Sequence, residues 1–348
     1  MLKKTTLSLA ILGMATVTHA NVLTTIKPLG FIANAITDGV TETDVLLPTS
    51  ASPHDYSLKP SDVQKLKSAS LVVWIGDEME TFLEKSIEKL PQSYVLTLES
   101  IPEIKEIVEH TDKRVRIKLD EKHHNAHKHH HHNDEHEHHS EHEHHDDNDE
   151  HKHHDKHEHH NDNDEHEHHA HHHHHHHNSD WHIWVSPKMS SIIAEQIAKR
   201  LSEKLPAKKT KIEANLTEFK LGLAKVNIEI AKQLLPVKDK GYYTFHAAYG
   251  YFEDAYGLKS LGAFTMNPTV APGAKTLEKI KANIKTHQAT CLFTEPQFTP
   301  KVVERLSKGV QVGVGRLDPL GGNIKQGKTA YLEYLRSLAT AFEQCLSK

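Results

Sequence analysis

Cysteine is almost absent: Cys291 and Cys345 are the only two in 348 residues. No CxxC pair exists, which excludes a dithiol redox centre and a thiolate metal site. Long apolar runs are scarce too. Leu7 to Val17 is the one marked stretch; behind Lys3 and Lys4, and ahead of Thr18-His19-Ala20, it reads as an export signal over residues 1–20 rather than as a membrane span. The expectation is cleavage before Asn21 and an exported mature chain. No basic stripe interleaved with aromatics is present, so nucleic acid is not an expected partner. Neither HExxH on a helix, nor a nucleophile elbow, nor a phosphate loop is read from the chain, which argues against a zinc hydrolase or another enzyme.

Export past the inner membrane permits disulfides. Cys291 sits in an apolar run and Cys345 in the final helical segment. They form either a bridge from the last helix to the core of the second half, or two buried thiols.

Histidine is abundant and unevenly placed. Of 35 histidines, 29 fall between His123 and His177. From Glu121 to Asn178 there are 4 Lys+Arg against 16 Asp+Glu; that balance of −12, within a total of −5, leaves the rest of the chain at +7. The segment has no apolar period and too little apolar surface to offset ordering, so it reads as a solvated loop. Imidazoles and carboxylates in this density suit Zn²⁺, and also Cu²⁺ or Ni²⁺.

On either side of it the chain alternates strands and helices. Expected strands are Val22–Ile26, Asp44–Leu47, Leu71–Ile75 and Tyr94–Leu98, then Tyr242–Phe245, Leu261–Thr265, Cys291–Thr294 and Val310–Leu317. Helices are expected over Phe31–Ile36, from Pro60 with Ser61 or Asp62 capping, over Glu80–Leu90 and Ser190–Leu201. Further ones are expected over Ala248–Tyr256, Thr276–Ile284, Pro300–Leu306 and Thr329–Cys345. The run Lys208–Leu235 has no proline and one glycine, and as a helix it would span roughly 40 Å. The fold class is α/β: two lobes with mostly parallel sheets, joined by one long connecting helix. The divisions are 21–207, containing the 121–178 loop; 208–235 for the helix; and 236–348.

Ligands of open α/β sheets bind beyond the carboxyl ends of strands. His54 follows the second expected strand, His246 ends the fifth, and His182 stands between the histidine-rich loop and a helix. Glu295 and Asp318 follow strands of the second lobe. Neutral imidazoles with a carboxylate or water in fourth position form a tetrahedral zinc set, whereas manganese takes more oxygen. Protons compete for such ligands, so affinity should weaken as pH falls through about 6.5.

SPHDYSLKPSDV (Ser52 to Val63), LVVWIGDEME (Leu71 to Glu80), DWHIWVSP (Asp180 to Pro187), FHAAYGYF (Phe245 to Phe252), CLFTEPQFTP (Cys291 to Pro300) and LDPLG (Leu317 to Gly321) closely resemble the ZnuA-type zinc receptors of Gram-negative bacteria. The resemblance covers essentially the whole mature chain. It implies a periplasmic solute-binding protein that captures Zn²⁺ between its lobes and delivers it to the ABC permease of a zinc importer, working as a monomer. It further implies metal ligands at His54, His182 and His246, an aspartate ligand at Asp318 as in several relatives, and a Cys291–Cys345 disulfide. Two positions depart from the pattern: Pro53 replaces a glutamate, and Ala247 an aspartate that would orient the third imidazole, so that orientation must come from elsewhere, and the fourth ligand is Asp318, water or a histidine of the 121–178 segment. A receptor for manganese or another divalent metal, and a periplasmic metal buffer, are the alternative readings.

Overall fold

A computed structural model describes residues 21–111, 179–265, 271–297, 301–308 and 311–348. The export signal and the histidine-rich segment therefore lie outside the described residues.

Two sheets of four parallel strands organise the chain. The first contains β1 (Asn21–Thr24), β2 (Glu42–Val45), β3 (Leu71–Trp74) and β4 (Val95–Thr97), in the order β2-β1-β3-β4. The second contains β5 (Tyr242–His246), β6 (Ser260–Thr265), β7 (Cys291–Thr294) and β8 (Gly313–Arg316), in the order β6-β5-β7-β8. The orders are equivalent, so each lobe has one crevice where successive connections leave in opposite directions. Central β3 is apolar and buried at every position, as a parallel strand covered on both faces must be, whereas edge strand β2 alternates between exposed and half-buried.

The helices of the first lobe are α1 (Lys27–Thr37), α2 (Pro60–Ser68), α3 (Glu84–Ile87), α4 over residues 102–111 and α5 (Pro187–Lys204). α1 starts four residues earlier than its apolar spacing suggests, because Pro28 occupies a first-turn position that needs no N–H partner. In α2 the cap position is Lys59, and Asp62 reaches back to its N–H at 2.9 Å. The helix expected over Glu80–Leu90 shortens to a 3₁₀ turn and α3, since the Glu80 carboxylate folds back onto Ile75 N–H at 2.8 Å. α5 is capped by Ser186, whose Oγ accepts from Met189 N–H.

The long helix is present as α6 (Lys209–Leu234), 26 residues, or about 39 Å. Ile212, Asn215, Phe219, Leu223, Val226, Ile230 and Leu234 are buried along one side of it. This side packs on α1, α5, α7 (Gly250–Tyr256) and α10 (Ala330–Leu346). The buried Asn215 amide donates to the carbonyls of Ile36 and Asp38, fastening the end of α1 to α6. α8 (Ala274–Lys285) and α9 (Lys301–Ser307) complete the second lobe, with Tyr243, Phe264, Ile280, Ile284 and Leu292 as a smaller core.

α10 closes the structure across α1 and α6. The loop before it joins the first lobe through Lys27 Nζ to Gly322 O at 2.7 Å and Asn34 Nδ2 to Gln326 Oε1 at 2.7 Å. Cys345 of α10 is disulfide-bonded to Cys291 of β7, with Cα atoms 6.0 Å apart. The bridge is therefore the outcome, and no described cysteine is free.

Candidate metal centre

Three imidazoles converge from distant parts of the chain. His54 lies in the loop after β2, where its N–H donates to Ser52 Oγ at 3.2 Å. His182 precedes the 3₁₀ turn Ile183–Val185, and His246 is the last residue of β5. The Nε2 atoms of His54 and His182 are 3.1 Å apart, and those of His246 and His182 are 3.2 Å apart. Among the described residues these three form the one group of histidine, cysteine or carboxylate ligands placed to hold a common ion.

The opposite ring nitrogens explain why the Nε2 atoms face each other. His182 Nδ1 is 2.7 Å from Asp180 Oδ1, and the same oxygen accepts His182 N–H. His246 Nδ1 is 2.7 and 2.8 Å from the two carboxylate oxygens of Glu295. An ionised carboxylate only accepts, so each Nδ1 donates, and a neutral ring then presents a bare lone pair at Nε2. Two such lone pairs 3.2 Å apart repel unless a cation lies between them. Tetrahedral Zn²⁺ with Zn–N of about 2.0–2.1 Å puts its nitrogens roughly 3.3 Å apart, close to the spacing found here.

The sheet topology places these partners. His246 ends β5 and Glu295 follows β7, and those neighbouring strands flank the crevice of the second lobe. Asp180 is held by the same lobe: its carbonyl accepts from Tyr251 Oη at 2.6 Å. Trp184 Nε1 donates to Pro319 O, and Tyr331 Oη to Trp184 O. Pro53, Trp184, Pro319 and Leu320 form an apolar collar around the three rings. Burial first, then the charges of His182 and His246, push His54 down to about 3. Burial also lowers His182, against the opposing pull of Asp180. The proton competition expected near pH 6.5 is that of solvated imidazoles; at these two rings it moves lower.

Asp318 does not join the three histidines. Its Oδ1 accepts from Leu320 N–H and Gln297 Nε2, and its Oδ2 from Gly322 N–H at 2.7 Å. It fastens the loop that carries Pro319 and Leu320. Glu295, a strand-end carboxylate in the sequence, supplies the ring orientation that Ala247 cannot. Asp180 is not among the expected site residues, although an aspartate two residues before a histidine is a spacing that reaches its Nδ1.

The reading that no phosphate-loop pattern exists needs correction. Gly322 to Thr329 spells G-x4-G-K-T. The loop does no such work here. Lys328 Nζ is 2.6 Å from Glu218 and 3.6 Å from Asp38, and Gly322 N–H is spent on Asp318.

Two α/β lobes around a buried set of inward-facing imidazoles are the build of a metal receptor. The family model "ZnuA: Zinc-uptake complex component A periplasmic" matches residues 22–345, and the chain belongs to that family. Curated relatives include the high-affinity zinc uptake system protein ZnuA of Haemophilus ducreyi, 60% identical over 348 residues and covering 100% of both chains. That of Yersinia pestis is 40% identical over 328 residues, covering 94% of this chain and 91% of the relative. Among solved structures, a crystal structure of ZnuA superposes with a TM-score of 0.65 at 20% identity, covering 94% of this chain and 98% of the other. The periplasmic zinc-binding protein TroA from Treponema pallidum gives a TM-score of 0.65 at 19% identity, covering 94% and 99%. These two share the fold.

Proposed function

We propose that this chain is a periplasmic zinc receptor that binds Zn²⁺ through His54, His182 and His246 and delivers it to the ABC permease of a zinc importer. The observation that carries the reading is the meeting of three Nε2 atoms, two of them on rings whose Nδ1 is fixed by a carboxylate. With two carboxylates behind neutral imidazoles, a bound Zn²⁺ leaves the centre close to electroneutral, which suits a buried site. The high identity to zinc uptake proteins over full length supports zinc as the cargo, and all-nitrogen ligation disfavours manganese.

The fourth position is left to water or to a histidine of the segment 121–178, and Asp318 acts by holding the collar. That segment collects zinc at weaker, faster sites and passes it inward. Cleavage before Asn21, after the small-x-small run Thr18-His19-Ala20, would release the mature chain. Zinc titration of the mature chain tests the reading. Alanine at His54, His182 or His246 should abolish the tight site. Deleting 121–178 should leave one tight site and remove the weaker ones by native mass spectrometry; loss of the tight site on that deletion alone would reject the division of labour. Growth of a deletion strain in chelator-treated medium tests delivery, and separates a receptor from a metal buffer.

A further inference from the structure

α6 carries two heptad stripes, and only one is used. Opposite its buried side, Ala214, Thr217, Leu221, Ala224, Ile228, Ala231 and Leu235 follow a 3-4 spacing, and all are exposed. Leu221, Ile228 and Leu235 are 68%, 73% and 60% exposed and stand seven residues apart, on successive pairs of turns. Isolated exposed leucines need no explanation, but a seam of this kind does.

We infer that this face of α6 is a self-association surface, and that its occupant is the same helix of a second copy, antiparallel about a two-fold axis near residue 226. The face is self-complementary. In that register Leu221 meets Ala231 of the second copy, Ala224 meets Ile228, and Thr217 meets Leu235, so every layer sets a large side chain against a small one. A two-fold axis repeats each match, as an isologous interface requires. Along one flank Glu218 lies opposite Lys232 of the second copy, twice. Glu218 already holds Lys328 through one carboxylate oxygen, which leaves the other for a second cation. The single unfavourable match is Lys225 against its own copy across the axis, at the solvent-exposed rim. One helix pair falls short of the roughly 1,200 Å² of a standard interface, so the dimer is weak and forms at high concentration. The zinc centre is unaffected, since no residue of this seam lines it. The monomer expected from the sequence then persists at low concentration, in equilibrium with this dimer.

Sedimentation equilibrium of the mature full chain, from low micromolar to near-millimolar concentration, tests this. The dimer fraction should rise with concentration. Leu221→Glu with Ile228→Glu should weaken it by about a hundredfold, with circular dichroism and zinc stoichiometry unchanged. Lys225→Ala should tighten it several-fold, and Lys225→Cys should give an oxidised, covalently linked dimer. A chain that stays monomeric throughout, or a dimer indifferent to the double glutamate variant, overturns the inference. So does binding to phosphatidylglycerol vesicles that the glutamate pair abolishes without any dimer appearing, since the stripe would then belong to a membrane surface.

Discussion

Replacing Glu295 by glutamine keeps the side-chain shape and one acceptor oxygen but removes the charge behind His246. The carboxylate side chain is fully buried, and both of its oxygens lie within 2.8 Å of His246 Nδ1. Tyr249, whose hydroxyl is buried beside it, offers no compensating charge. Partners of metal-bound histidines contribute about 10–100-fold in affinity, or about 1.4–2.7 kcal/mol. A hydrogen bond to a charged group contributes a similar 1.5–3 kcal/mol. Glu295→Gln should therefore raise the zinc Kd by about 10–100-fold, measured by competition against a chelating fluorophore. The metal-free protein should move the other way: a buried anion without its cation is unfavourable, so its thermal midpoint should hold or rise. The midpoint gain on adding zinc should shrink, because that gain follows the ratio of free zinc to Kd. A Kd within twofold of the parent, or equal losses of zinc-free and zinc-bound stability, would refute the orienting role.

Asp180→Asn should likewise weaken zinc binding by about tenfold, with the Tyr251 contact intact because that bond is to the Asp180 backbone carbonyl, checked by the same titration. Changing both Cys291 and Cys345 to alanine should lower unfolding stability by roughly 4 kcal/mol in the chain-entropy model, read from denaturant midpoints. Burial raises Glu80 to about 7, so the folded state holds a proton that the unfolded state has lost between about pH 4.5 and 7. Stability from this group is present below that window and falls as pH rises through it. Glu80→Gln should flatten that fall and raise the midpoint above pH 7; an unchanged pH profile would contradict the assignment.

Much of this was legible in the sequence for identifiable reasons. Parallel strands buried on both faces are continuous apolar runs, so Leu71–Trp74 and Cys291–Thr294 stood out. A histidine that ends a strand, or lies in the loop that follows one, is visible wherever the strand is, which located His246 at the end of β5 and His54 in the loop after β2. Residues that act through another residue were harder. Glu295 and His246 are 49 positions apart and become partners only because β5 and β7 are neighbours in the sheet. Asp318 follows a strand like Glu295, yet its oxygens turn onto the backbone of their own loop, a local choice that strand position does not encode. The early start of α1 and the broken helix after Glu80 are likewise decided by single side chains, Pro28 and Glu80, rather than by periodicity.

The most direct test is a zinc-soaked crystal of the mature chain with anomalous data collected at the zinc edge. One strong peak is expected about 2.0–2.1 Å from Nε2 of each of His54, His182 and His246, with Asp180 on His182 Nδ1 and Glu295 on His246 Nδ1. A peak coordinated elsewhere, or a full-occupancy peak that persists when His182 is alanine, would contradict it.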